Sequence, residues 1–129
     1  MTDETLLASF EAGAIAPVEF RHREHVRVTW LLLGRHGRAD AERRLLHGLR
    51  GLAARAGKPD KFDAALTRAW IDAIELAAIT VPRLATFDAL VAAHPDLLDS
   101  RSVGAGATQK GQGRRAKGKP TTVALALRP

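Results

Sequence analysis

From His22 to Arg35 the chain places Val26, Trp30 and Leu33 at i, i+4 and i+7, and Val28, Leu31 and Leu32 fill the remaining faces of the second half. That spacing predicts a helix, and a helix apolar on every side must be covered on every side. It is therefore expected at the centre of a bundle. No segment before residue 120 alternates with the period of two that a half-buried strand needs. The two observations together predict an all-α fold, a single bundle of four to five helices.

The neighbouring segments fit that frame. Leu6, Leu7 and Phe10 define a first helix over Glu4 to Ala12, with Thr2 or Asp3 as its cap and Gly13 as its stop. Gly34 and Gly37 are expected to end the second helix. A third, from Asp40 to Arg55, buries Leu45, Leu49, Leu52 and Ala56 and turns Arg43, His47 and Arg50 to solvent. Gly48 and Gly51 interrupt it, each at a cost of about 1 kcal/mol relative to alanine. Gly48 borders the buried stripe, which predicts close approach of a neighbour; Gly51 has no such reason. A fourth helix, Lys61 to Ile79, buries Phe62, Leu66, Trp70 (or Ala69), Ala73 and Ala77. Thr86 then caps a short helix over Phe87 to Ala93, with Phe87, Leu90 and Val91 facing inward, and Asp96 to Asp99 adds a turn.

A chain of 129 residues supports one domain with one core. It has no cysteine, which removes disulfides, thiolate catalysis and thiolate-bound zinc. No window approaches the roughly 20 apolar residues of a membrane span. Asp3 and Glu4 stand where a signal peptide would be basic, so a soluble, cytoplasmic protein is expected. The net charge of +6 is unevenly distributed: residues 1 to 99 hold 13 Lys/Arg and all 14 Asp/Glu, whereas residues 100 to 129 hold 7 Lys/Arg and no acid. The expected division is thus a helical domain over 1–99 and a basic Gly/Arg/Lys-rich tail over 100–129. A tail so poor in large apolar residues predicts disorder; its composition also fits an out-of-frame reading of a GC-rich gene. Lys110, Arg114, Arg115, Lys117 and Lys119 offer phosphate-neutralising charge without interleaved aromatics. This supports one functional reading, a non-enzymatic interaction module whose tail contacts nucleic acid or an acidic partner.

The other reading starts at the N-terminal end of the second helix. His22 and His25 sit three apart, on adjacent parts of one helical face. The run Phe20-x-His22-x-x-His25-x4-Trp30, followed by Gly57-Lys58-Pro59-Asp60-Lys61-Phe62, Thr67-x-x-Trp70 and Ala93-His94-Pro95-Asp96-Leu97-Leu98, resembles an uncharacterised family of small bacterial all-α proteins. The resemblance covers about residues 3 to 99; it implies the helical fold and a purpose for the two histidines, but no activity, substrate or cofactor. Relatives typically carry histidine where this chain has Asp63, and often threonine where it has Ala65, and they continue in helical sequence beyond Leu98. A three-histidine site implied by the resemblance is altered or lost here.

Asp63 opens the fourth helix, with Thr67 one turn later on the same face. Packing of helices two and four with their N-terminal ends adjacent would bring His22, His25 and Asp63 together. Two imidazoles and one carboxylate suit a divalent iron, manganese or zinc ion with open coordination positions. A metal-free acid–base pocket uses the same groups, and histidines hydrogen-bonded to a carboxylate or carbonyl for purely structural reasons are the ordinary outcome at a helix start. These three readings stay open at the level of sequence, and whether the protein is an enzyme is open with them.

Overall fold

A computed structural model describes residues 1–82 and 85–103. Among the described residues the fold is all-α, with five helices and no strand. The helices are α1 (Asp3–Glu11), α2 (His22–His36), α3 (Arg38–Arg55), α4 (Ala64–Ala78) and α5 (Phe87–Ala93). Short 3₁₀ turns over Pro17–Glu19, Pro59–Lys61 and Pro95–Leu98 join or follow them. Each opens with proline, whose fixed φ and missing N–H suit a first helical position.

Local chemistry sets the boundaries. Thr2 caps α1, accepting from the Thr5 N–H at 3.0 Å, and Thr86 caps α5 through the Ala89 N–H at 3.1 Å. The Glu24 carboxylate closes the start of α2 by accepting from the Arg21 N–H at 3.0 Å. Two expected boundaries move. Gly37 alone separates α2 from α3: its φ of 82° turns the chain in one residue, so α2 runs on to His36 and α3 starts at Arg38. The fourth helix starts at Ala64 and not at Lys61, because Pro59–Lys61 forms a separate 3₁₀ turn and Phe62 is extended.

Helix α2 is the central element, as its apolar surround predicts. Val28 and Leu32 join a cluster with Leu6, Leu7 and Phe10 of α1, Leu45, Leu49 and Leu52 of α3, and Phe20. Val26 joins a second cluster with Trp70 and Ile74 of α4, Phe87 and Leu90 of α5, and Leu97. The buried stripe is rotated by about one residue from the expected one: His25, Val26, Val28, Thr29 and Leu32 are buried, while Trp30 and Leu33 are half-buried. In α4 the same rotation buries Thr67, Trp70, Ile71, Ile74 and Ala77 and leaves Phe62, Leu66 and Ala73 partly exposed. Both helices contact neighbours on two sides, so the buried arc is wider and displaced from a single stripe.

Gly48 has the predicted close neighbour: a Cβ there would lie 2.2 Å from the Phe10 ring of α1. Around Gly51 only the end of the Arg55 side chain comes within 3.6 Å. Arg27 to Asp3 at 2.6 Å ties α2 to α1, and Arg38 to Asp72 at 2.6 Å and Glu75 at 3.0 Å ties α3 to α4. Residues after Asp99, assigned to the tail by composition, still belong to the packed domain as far as Val103. Ser102 Oγ donates to the Asp96 carbonyl at 3.0 Å, and Val103 packs on the second cluster. The remainder of the tail lies outside the described residues, and with it the expectations of disorder, of an out-of-frame reading and of a basic contact surface at Lys110, Arg114, Arg115, Lys117 and Lys119.

Candidate functional site

The first turn of α2 brings His22 and His25 together where the 3₁₀ turn Pro95–Leu98 closes over the helix start. Their ring centroids are 6.2 Å apart, with the ring planes 79° to one another. His25 is 1% exposed. Phe20, extended just before the helix, folds back so that its ring lies 6.1 Å from that of His25, and it stacks on Phe10 at 5.4 Å. His22 lies edge-on against Trp70 of α4, with centroids 4.7 Å apart. The imidazoles are therefore set among apolar and aromatic groups, with the start of α2 reaching both core clusters.

Hydrogen bonding fixes one of the two rings. His22 Nε2 lies 2.7 Å from the carbonyl oxygen of Leu97, 75 residues away. A carbonyl only accepts, so Nε2 carries the proton of the neutral ring and Nδ1 keeps its lone pair. That Nδ1 is buried and has no hydrogen-bond partner among the described residues. Both nitrogens of His25 are in the same condition, and so is the indole Nε1 of Trp70. Four buried polar atoms on three touching or near-touching rings thus lack a protein partner. Natural cores hold few such atoms, because each costs about 1–3 kcal/mol when left unpaired.

Burial also holds both rings neutral at pH 7. Desolvation lowers the His22 pKa, against the Leu97 carbonyl and the charge of Asp99, which raise it. Desolvation and then the neighbouring His22 push His25 down to about 3. Removal from water is thus the main cause of the neutral state of both rings.

Asp63 does not join the pair. Its carboxylate accepts from the Leu66 N–H at 2.9 Å as the cap of α4. Among the described residues no three His, Cys, Asp or Glu side chains are grouped to hold a metal ion. The expected His22–His25–Asp63 triad is therefore replaced by a two-histidine arrangement, since the extended Phe62–Asp63 segment commits the carboxylate to the helix end. Thr67 likewise turns inward, its hydroxyl donating to the Asp63 carbonyl at 2.8 Å. Thr29 does the same to the His25 carbonyl at 2.8 Å. Trp70 was legible as a core residue, but nothing in its position marks its N–H as unpaired. The role of Leu97 rests on a main-chain atom distant in sequence, for which the sequence carries no signal.

The basic face of α3 is largely neutralised. Arg43 and Arg44 pair with Asp40, Arg44 also with Glu11, and the Arg50 guanidinium lies 4.9 Å from the Phe62 ring centroid. A surface cleft lined by Asp3, Arg23, Arg27, Thr86, Phe87 and Asp88 has its arginines paired with its own acids. Among the described residues no helix is long and apolar enough to cross a membrane. Comparison with known proteins yields no match: no protein family, no curated protein and no solved structure aligns with the chain.

Proposed function

We propose that His22 and His25 bind a single divalent transition-metal ion, with the remaining coordination positions filled from outside the protein. The observation that carries this reading is the bare Nδ1 of His22 beside the unpaired nitrogens of His25. A metal-ligating histidine characteristically donates its other N–H to a carbonyl or carboxylate, which fixes the ring and its tautomer. The Leu97 carbonyl does this for His22. With Zn–N bonds of about 2.0–2.1 Å, two imidazole centroids around one tetrahedral ion are about 5.2 Å apart. The observed 6.2 Å is wider, so uptake requires the two rings to draw together by about 1 Å.

Loss of Asp63 from the set changes the preferred ion. Manganese is suited by carboxylate and water, whereas imidazole suits zinc and iron, so zinc or iron is the favoured occupant. Open positions are the mark of a reactive rather than a purely structural metal site. The experiment is calorimetric titration of the full chain, first stripped with chelator, with Zn²⁺ and Co²⁺. One ion per chain is expected, with uptake lost in both His22→Ala and His25→Ala. Absence of stoichiometric uptake, or uptake that survives both substitutions, overturns the reading.

A further inference from the structure

The C-terminal end of α4 turns apolar side chains to solvent. Leu76 and Ile79 are 66% and 74% exposed, on the face of the helix away from the buried Trp70 and Ile74. A lone exposed leucine is ordinary, but two large apolar residues at i and i+3 form a contiguous patch. Asp72 and Glu75 continue the same stripe toward the middle of the helix. Their carboxylates share Arg38 with Glu42, which also takes Arg68. Three acids thus meet two arginines, and the apolar patch borders a residual negative charge.

The point where the described chain ends bears on what can reach this patch. The Thr80 hydroxyl, directly after Ile79, lies 2.6 Å from His94 Nε2 at the start of the last 3₁₀ turn. Ser102 Oγ returns to the Asp96 carbonyl of that turn at 3.0 Å. Val103 therefore leaves the domain only a few residues' length from the end of α4.

We propose that residues 123–127 of this same chain dock on the Leu76 and Ile79 face of α4. Val123, Leu125 and Leu127 are the large apolar residues that follow Val103, and residues 104–122 between them contain none. Fully extended, those 19 residues reach at most about 65 Å, against a radius of gyration of about 13 Å for a domain of about 100 residues. Lys117 and Lys119 precede the segment, Arg128 follows it, and no acid occurs after Asp99, so its charge complements the Asp72 and Glu75 stripe. Docking removes apolar side chains of both partners from water, and the covalent link makes about millimolar affinity enough to populate the contact. A second copy of the chain fits less well, because a two-fold contact through this stripe places the negative charge of both copies in one interface.

The chain has no cysteine, so Thr121→Cys carries a single nitroxide on the full-length, ¹⁵N-labelled protein. The amide resonances of residues 76–80 are expected to lose intensity while those of α1 keep theirs. The loss should vanish when Leu125→Asp and Leu127→Asp are combined, and equally when Leu76→Gln and Ile79→Gln are combined; the latter pair is solvent-exposed and leaves the core intact. Full intensity at residues 76–80, equal loss over all helices, or a loss that survives either pair of substitutions overturns the proposal. A second sample mixes ¹⁵N-labelled chain without nitroxide and unlabelled chain that carries it. Unchanged intensity there supports docking within one chain, and a loss as large as in the first sample assigns the patch to a second copy and overturns it.

Discussion

Replacing His25 with leucine should remove most of the acid sensitivity of the metal-free protein. In the folded chain the His25 pKa lies at about 3, against the ordinary 6.5 that it regains on unfolding. The unfolded state therefore binds the proton first as pH falls. Stability carried by the neutral ring is fully present above pH 6.5 and is lost progressively between pH 6.5 and about 3. At 1.36 kcal/mol per pH unit, the loss from this one group is about 2 kcal/mol at pH 5. His22, lowered in the same direction, adds to it. Asp40 and Glu42 have carboxyls held below their ordinary range by Arg44 and Arg68, and they stay ionised across the window from pH 7 to 5. The assay is urea unfolding at pH 7, 6 and 5 in the presence of chelator, for the native sequence and for His25→Leu. The native chain should lose stability steadily, whereas the variant should retain only the shallower slope that His22 supplies, and should be the more stable of the two at pH 5. Equal slopes in both proteins would refute the reasoning, because they would mean that His25 is hydrated or partnered in the folded state.

Two glycines of α3 should respond in opposite directions to the same substitution. Gly48→Ala drives a methyl into the Phe10 ring and is expected to destabilise by about 1–3 kcal/mol. Gly51→Ala meets only a movable Arg55 terminus and should stabilise by up to about 1 kcal/mol; thermal unfolding of both reads the contrast. Asp63→Ala removes the α4 cap and should cost about 1 kcal/mol. It should leave zinc affinity by calorimetry unchanged, and a fall in affinity would return the carboxylate to the ligand set.

What the sequence made legible follows from which interactions are local. The helix at 22–36 announced itself through Val26, Val28, Leu31 and Leu32, and its central place followed from their all-round distribution. The caps at Thr2 and Thr86 are contacts over three residues, visible in the string of letters. Gly48 signalled a close neighbour but not which one, since Phe10 lies on another helix. Asp63 shows the limit most clearly. Its position at a helix start was correct, yet a carboxylate there can cap its own helix or reach across to another, and local capping prevailed. His22 meets the Leu97 carbonyl and the Trp70 ring, a main-chain atom and a core side chain, which no motif encodes.

The arrangement at the start of α2 ties occupancy to stability. A buried nitrogen of His25 left without a partner costs about 1–3 kcal/mol in the folded chain. Whatever pairs with that nitrogen therefore stabilises the fold as well as filling a site. A single water molecule reaches at most one nitrogen of His25, because the two lie on opposite sides of the ring. The proposed metal ion would take one nitrogen of each histidine and leave the second nitrogen of His25 unpaired; binding to the folded chain alone, it would raise stability by about 2.7 kcal/mol at a hundredfold excess over Kd. The same substitution, His25→Leu, should thus stabilise the metal-free protein and abolish the stabilisation by Zn²⁺. A histidine that is merely buried gives the first effect alone, so the loss of the Zn²⁺ response is the result that decides.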